Sequence, residues 1–178
     1  MQWHIDPTHA SVGFAVKHMA ISTVRGSFKS FDANGETDEH GMPATLTMDI
    51  DAASISTNND QRDAHLKSPD FFDAERFPKL SFRSTKISGA PADLTVTGDL
   101  TIRGVAKPVT LKGSMSQVVT DPWGNKRTSL AVSGKISRGE WGLTWNQALE
   151  FGGLLVSDEV KLDVEAQAIV AGAAKAAA

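Results

Sequence analysis

From Leu94 to Ile102 the chain alternates strictly. Leu94, Val96, Gly98, Leu100 and Ile102 take one parity, and Thr95, Thr97, Asp99, Thr101 and, just beyond, Arg103 take the other. After a short interruption the pattern resumes, with Val109, Leu111, Gly113 and Met115 set against Thr110, Lys112, Ser114 and Ser116. Successive side chains of a strand point to opposite faces, so this stretch is a ribbon with one apolar and one wet face. Gly104 and Pro108 bracket the connection, which reads as a hairpin loop of about five residues. The rest of the chain must be organised around what that apolar face is turned towards.

The same period recurs on both sides of the hairpin. Trp3–Lys17 reads as a strand pair in which Val12, Phe14 and Val16 alternate with Gly13, Ala15 and Lys17, and His18 extends the apolar side. Val24–Phe31, Ala44–Ser56, Lys79–Ser88, Ser129–Ile136 and Leu154–Val170 repeat it. Asp32–Pro43, rich in Gly, Asn and Asp, reads as a turn or exposed loop. The period breaks at 58–72. There Asn59 or Asp60 can cap a short helix through Leu66, and Ser68-Pro69-Asp70 has the residues of a second helix start anchored by Phe71 and Phe72. Gly139–Gly153 carries Trp141, Trp145 and Phe151 without a clean period. About eight alternating strands argue for a sandwich or an antiparallel barrel. Gly26, Gly98, Gly113 and Gly134 fall on the apolar parity, where glycine marks a bend or a close approach, which suits a curved, closed sheet. The chain is read as one domain over residues 1–170 with a disordered Ala-rich tail over 171–178.

Composition removes several functions. The chain has 178 residues, a formal net charge of −3 and no basic block, so the electrostatic footprint of a nucleic-acid binder is missing. It contains no cysteine, which excludes disulfides, thiolate metal sites and thiol nucleophiles. No run approaches the length of a membrane-spanning helix. The opening MQWHIDPTHA lacks a basic segment followed by an apolar one, which reads as cytoplasmic; a chain whose leader had been removed would read the same and be periplasmic.

A wider set of residues is similar to a known family. The opening Trp3, Ile5, Asp6, His9, Val12, Phe14, Val16 and His18 is followed by Val24, Gly26 and Phe28, then Ser54-Ile55 and Thr57. Next come the run Arg62-Asp63 to Phe71-Phe72-Asp73, Phe77-Pro78, the hairpin Leu100–Val105 with Lys107–Leu111, and Gly152-Gly153. The pattern resembles the YceI-like family of polyisoprenoid-binding proteins over nearly the whole chain. The resemblance implies an all-β fold: an extended antiparallel eight-stranded lipocalin-like β-barrel with a short helical insertion near 59–72. It also implies an elongated apolar pore that holds an isoprenoid or other amphiphilic lipid, such as an isoprenoid-quinone-like or fatty-acid-like molecule, for sequestration or transport. No cofactor or metal is expected beyond that lipid, and the family's homodimers are the expected assembly.

An eight-stranded barrel either fills its interior with side chains or holds one small ligand. Phe14, Val16, Phe28, Met48, Ile50, Phe82, Leu100, Ile102, Trp141, Trp145 and Phe151 are the residues that would line the pore, or fill it; inward glycines would leave space. His18, Arg62, His65 and Arg138 are the candidates for a polar head, with Lys67 a further cation. Each also has a structural reading, such as Arg138 paired with Glu140. His4, His9 and His18 do not share one strand parity, which argues against a zinc site. A hydrolase or isomerase using His65 or His18 as base is the enzymatic rival, though no G-x-S-x-G elbow is present. A ligand-free stress or interaction domain is the other rival, and it requires a packed interior.

Overall fold

The computed structural model describes residues 1–170, and the expected disordered tail at 171–178 lies outside the described residues. Its strands are β1 (Gln2–His18), β2 (Ser22–Phe28), β3 (Phe31–Thr37), β4 (Pro43–Asp51), β5 (Ile55–Ser56), β6 (Lys79–Ala90), β7 (Asp93–Ile102), β8 (Val105–Met115), β9 (Val119–Thr120), β10 (Lys126–Ser137) and β11 (Val156–Val170). One helix, α1 (Asp60–Lys67), and two single 3₁₀ turns, Ala52–Ser54 and Arg138–Trp141, interrupt them.

All neighbouring strands are antiparallel, and the sheet closes when β11 pairs with β1, from Trp3 opposite Val170 to His18 opposite Val156. β2 and β3 follow one another along the same side of β1. Val12 faces Phe28 on β2, and His4 faces Asn34 on β3. The two segments therefore act as one long strand kinked at Lys29-Ser30. Counted this way, the circuit β1, β2–β3, β4, β6, β7, β8, β10, β11 is an eight-stranded closed barrel. Closure pairs each strand of the circuit on both sides over part of its length, leaving Ser22–Gly26 of β2 and Val105–Leu111 of β8 paired on one side. Trp3–Lys17, read as a strand pair, is a single strand. It carries two register shifts, one between Val16 and His18 and one between Asp6 and Ala10, the latter around Pro7, which has no N–H to give the ladder. Asp6 fastens the bulge at Pro7: its Oδ1 accepts from the Thr8 N–H at 3.1 Å and its Oδ2 accepts from Arg127 Nη1 at 2.7 Å.

The apolar parity faces inward on every long strand. Ile5 and Val12, Met48 and Ile50, Leu80 and Phe82, Leu100 and Ile102, Val109 and Leu111, and Val132 are all buried in one cluster. Three local expectations are corrected. Phe31–Thr37 is strand, not loop: Ala33 and Thr37 are buried while Asp32, Asn34 and Glu36 are exposed. The alternation was present, but its inward residues are small, because the Trp3 ring lies against Gly35 and takes up the room. The β7–β8 connection is the two-residue turn Arg103–Gly104 with φ of +50° and +73°, the conformation a tight hairpin requires. Pro108 sits inside β8 opposite Asp99, where β8 is paired only to β7, so its missing N–H breaks no second ladder. Finally, Ser68–Asp73 is a compact turn and not a second helix. Asn59 caps α1 by accepting from the Arg62 N–H at 2.9 Å, and the Ser68 hydroxyl donates back to the His65 carbonyl at 2.6 Å.

Candidate functional site

The barrel is hollow. A cavity of about 710 Å³ runs between its walls, within the usual size for a small-molecule site. Phe14, Val16, Phe28, Met48, Ile50, Phe82, Leu100 and Ile102 line it, as the alternation places them, together with Trp145 from the stretch without a period and with Ile5, Val96, Leu111, Val132, Leu162 and Val164. Inward glycines do not supply this space. A Cβ on Gly26 would meet the Phe14 ring, and one on Gly113 would meet the backbone of Ala131. The glycines mark close approach, as read, but the room beside them is already taken by neighbours.

Polar side chains are distributed unevenly along the cavity. Asn59, Gln61, Arg62 and His65 of the α1 segment line one end, with His18 from the end of β1 and Arg138 from the end of β10. The opposite end offers the hydroxyls of Thr37 and Thr128 and the Trp3 indole N–H, which is buried without a hydrogen-bond partner. At the α1 end His65 packs edge-on against Trp145 and Phe71, with ring centroids 4.7 and 5.1 Å away, while Phe72 meets Phe28 at 5.7 Å. His65 Nε2 is 2.8 Å from Asp70 Oδ2. The nearby Ser68 hydroxyl is turned to a backbone carbonyl and not to the ring.

The two arginines at this end are held differently. Arg62 gives Nε to the Thr57 hydroxyl at 2.7 Å and Nη2 to the Thr57 carbonyl at 2.9 Å; Thr57 in turn donates to the buried Asp63. Among the described residues Arg62 has no carboxylate in ion-pair range. Arg138 is only 6 % exposed. It donates to the carbonyls of Leu143, Trp145, Val156 and Ser157 at 2.6 to 3.3 Å, not to Glu140. Burial pushes its guanidinium pKa down, and Asp158 partly offsets this. A buried cation bonded this way pins the 143–157 loop to the barrel rim.

The YceI-like domain model matches residues 3–168 of this sequence. The chain belongs to the YceI-like family. A UPF0312 protein of Staphylococcus aureus is 38 % identical over 165 residues, covering 91 % of this chain and 94 % of the relative. Among solved structures, the Campylobacter jejuni YceI protein superposes with a TM-score of 0.77 at 30 % identity, covering 88 % of this chain and 90 % of that one. A polyisoprenoid binding domain from Saccharophagus degradans shares the fold, with a TM-score of 0.70 at 14 % identity, covering 95 % and 98 %.

Within this YceI-like barrel two expected lining residues lie elsewhere. Trp141 is 1 % exposed and sits behind the wall, its Nε1 donating to the Leu100 carbonyl at 2.9 Å. Phe151 is 99 % exposed at the tip of a loop. Both belong to the stretch without a period, where spacing cannot assign a face. Lys67 is outside the lining, whereas Thr57, Asn59 and Gln61, which the alternation had no means to mark, are part of it. His4, His9 and His18 are spread along β1, with His9 against Asp6.

Proposed function

We propose that this barrel binds and carries a long-chain isoprenoid or similarly shaped amphiphilic lipid, tail along the cavity and polar head at the α1 end, without chemical turnover. The observation that carries the reading is the hollow, apolar interior whose ionisable lining residues, His18, Arg62, His65 and Arg138, are gathered at one end. That arrangement fits a molecule greasy along its length and polar at one tip. The Saccharophagus degradans domain of the same fold is described as polyisoprenoid binding, which favours an isoprenoid tail. Each buried methylene is worth about 0.8 kcal/mol, so a tail of several isoprene units gains more than about 10 kcal/mol gross. Ordering the tail and losing overall freedom offset much of this, leaving micromolar to nanomolar affinity within reach. Adding or removing a methylene changes affinity by only about 1–3 kcal/mol, so the site tolerates a range of chain lengths.

His18, Arg62 and His65 are the head-facing residues in this reading. Arg138 contributes by holding the mouth in shape, its donors being committed to carbonyls. A homodimer in the cytoplasm belongs to the same reading, and light scattering of the purified chain measures the first part. Native mass spectrometry with organic extraction of freshly purified protein tests the main claim. A stoichiometric long-chain lipid supports it; an empty protein that also refuses added isoprenoid alcohols and fatty acids refutes it. The His65–Asp70 pair makes turnover the specific rival. An extracted or added lipid that is converted by the wild-type chain and not by His65→Ala would replace the carrier with an enzyme.

A further inference from the structure

The largest exposed apolar side chains at the α1 end belong to two loops that touch. Met19 and Ile21 form the β1–β2 turn and are 42 % and 81 % exposed; Phe151 and Leu154 lie in the 149–155 loop at 99 % and 58 %. The Met19 N–H donates to the Leu155 carbonyl at 2.8 Å, so the loops form one continuous rim. His18, Leu155 and Val156, the residues next to them in sequence, line the cavity. The apolar surface thus runs without a break from inside the barrel to its outer lip. Between Lys17 and Arg25 the one titratable side chain is His18, and between Asn146 and Ser157 it is Glu150.

Main-chain polarity at the rim is also largely satisfied internally. Ile21 donates to His18, Leu149 to Gly153, Gly152 to Leu149 and Leu155 to Gln147. A loop with its N–H groups already paired enters an apolar phase at far lower cost than an open one. An exposed apolar cluster of this kind marks an interaction site. We propose that the Met19–Ile21 and Phe151–Leu154 rim is a bilayer-docking surface, which seats the cavity mouth in the headgroup region of a membrane so that a lipid passes into the barrel without crossing water. Because the rim is nearly uncharged, docking is driven by apolar burial and needs no anionic lipid. The opposite end also exposes Trp123 at 81 %, Val119 at 60 % and Val118 at 42 %, but these sit among Asp121, Lys126 and Arg127 and against the β3–β4 turn that carries Asp38 and Glu39, a charged setting that disfavours insertion.

This inference rests on the carrier reading, and its test separates the two. The chain has no cysteine, so Phe151→Cys and Trp123→Cys each accept one environment-sensitive fluorophore at a fully or mostly exposed site. On vesicles of phosphatidylcholine alone, the label at 151 is expected to shift to the blue and be quenched by brominated acyl chains, while the label at 123 stays aqueous. In unlabelled protein, Ile21→Asp and Phe151→Asp are each expected to lower co-sedimentation with the vesicles about tenfold. A label at 151 that stays aqueous, or one at 123 that inserts equally, overturns the docking surface. Uptake of a fluorescent isoprenoid in vesicle-free solution reports the cavity alone. Uptake without docking removes the rim proposal only, and docking without uptake removes the carrier reading only.

Discussion

Gly26 and Gly113 look alike in sequence, each an inward-parity glycine inside a strand, yet alanine at the two sites should do opposite things. At Gly26, opposite Phe14 on β1, the new methyl would land on the far edge of the Phe14 ring, which faces the cavity and has room to swing into it. The cost is an off-rotamer ring, about 0.5–1.5 kcal/mol. The strand gains about 0.5–1 kcal/mol from losing a glycine, so the net change stays within about 1 kcal/mol. At Gly113 the methyl would land on the Ala131 carbonyl and the Val132 Cα of β10. Relief there requires prising β8 from β10, an overpacking cost of about 1–3 kcal/mol.

For a chain of this size those figures correspond to a Tm unchanged within about 3 °C for Gly26→Ala and lowered by about 3–10 °C for Gly113→Ala. Ligand binding should reverse the order. A displaced Phe14 ring takes space from at least two methylenes of a tail, about 1.6 kcal/mol, so Gly26→Ala binds a fluorescent isoprenoid about tenfold more weakly. Gly113→Ala, measured below its melting range, keeps wild-type affinity. Thermal unfolding and probe titration on the same preparations decide it. If Gly26→Ala melts as early as Gly113→Ala, or binds like wild type, the claim that one glycine abuts a ring free to move into the cavity and the other abuts backbone is wrong.

Arg138→Met strands four carbonyls on the 143–157 loop and is expected to cost about 3–5 kcal/mol, seen as a lower Tm and as new protease cuts within that loop. Trp141→Phe removes only the bond to the Leu100 carbonyl and should cost about 1–2 kcal/mol with isoprenoid affinity intact, since the ring does not reach the cavity; a tenfold loss of binding would contradict its placement. Arg127 bridges two carboxylates, holding Asp121 down at about 2, while the Thr8 hydroxyl and then Arg127 hold Asp6 below the usual carboxylate range. Depressed carboxyls stabilise the fold above their unfolded pKa, near 3.9, and that stability is lost as pH falls through the folded values. The urea midpoint should therefore drop between about pH 4 and pH 2, and Arg127→Met should lower the midpoint at neutral pH while flattening that acid slope.

The sequence made the barrel legible because the wall residues face a single inward environment. On β7 the period of two is unbroken and it resumes on β8 from Val109, and Val96, Leu100, Ile102, Val109 and Leu111 of that inward parity line the cavity. Legibility failed where one side chain does the work of two. β3 is hard to see because Trp3 fills the space beside Gly35 and its neighbour on the inward face is only Ala33, so the strand's own inward face carries almost no hydrophobicity. Pro108 misled in the same manner: proline is a loop signal only if its N–H would be needed, and on this part of β8 a single neighbouring strand is paired.

At the site the boundary falls between periodic and aperiodic chain. His18, Arg62 and His65 stand out by residue type, and their place on the end of β1 and on α1 turns them to the cavity, whereas Lys67 on the same helix turns away. Arg138, Trp141 and Phe151 lie within thirteen residues of one another and have three different fates: pin, wall backing and exposed tip. No pattern of polarity separates them. Arg138 is buried because four carbonyls converge on it, and those carbonyls exist only once the loop from Leu143 to Ser157 has folded back on the rim. Its role is thus a consequence of tertiary structure, not a cause that the local sequence states. The same loop that demands Arg138 also carries Phe151 outward, so the pin that shapes the mouth sets the position of the rim, and Arg138→Lys, which keeps the charge but not the fork of donors, should loosen both together.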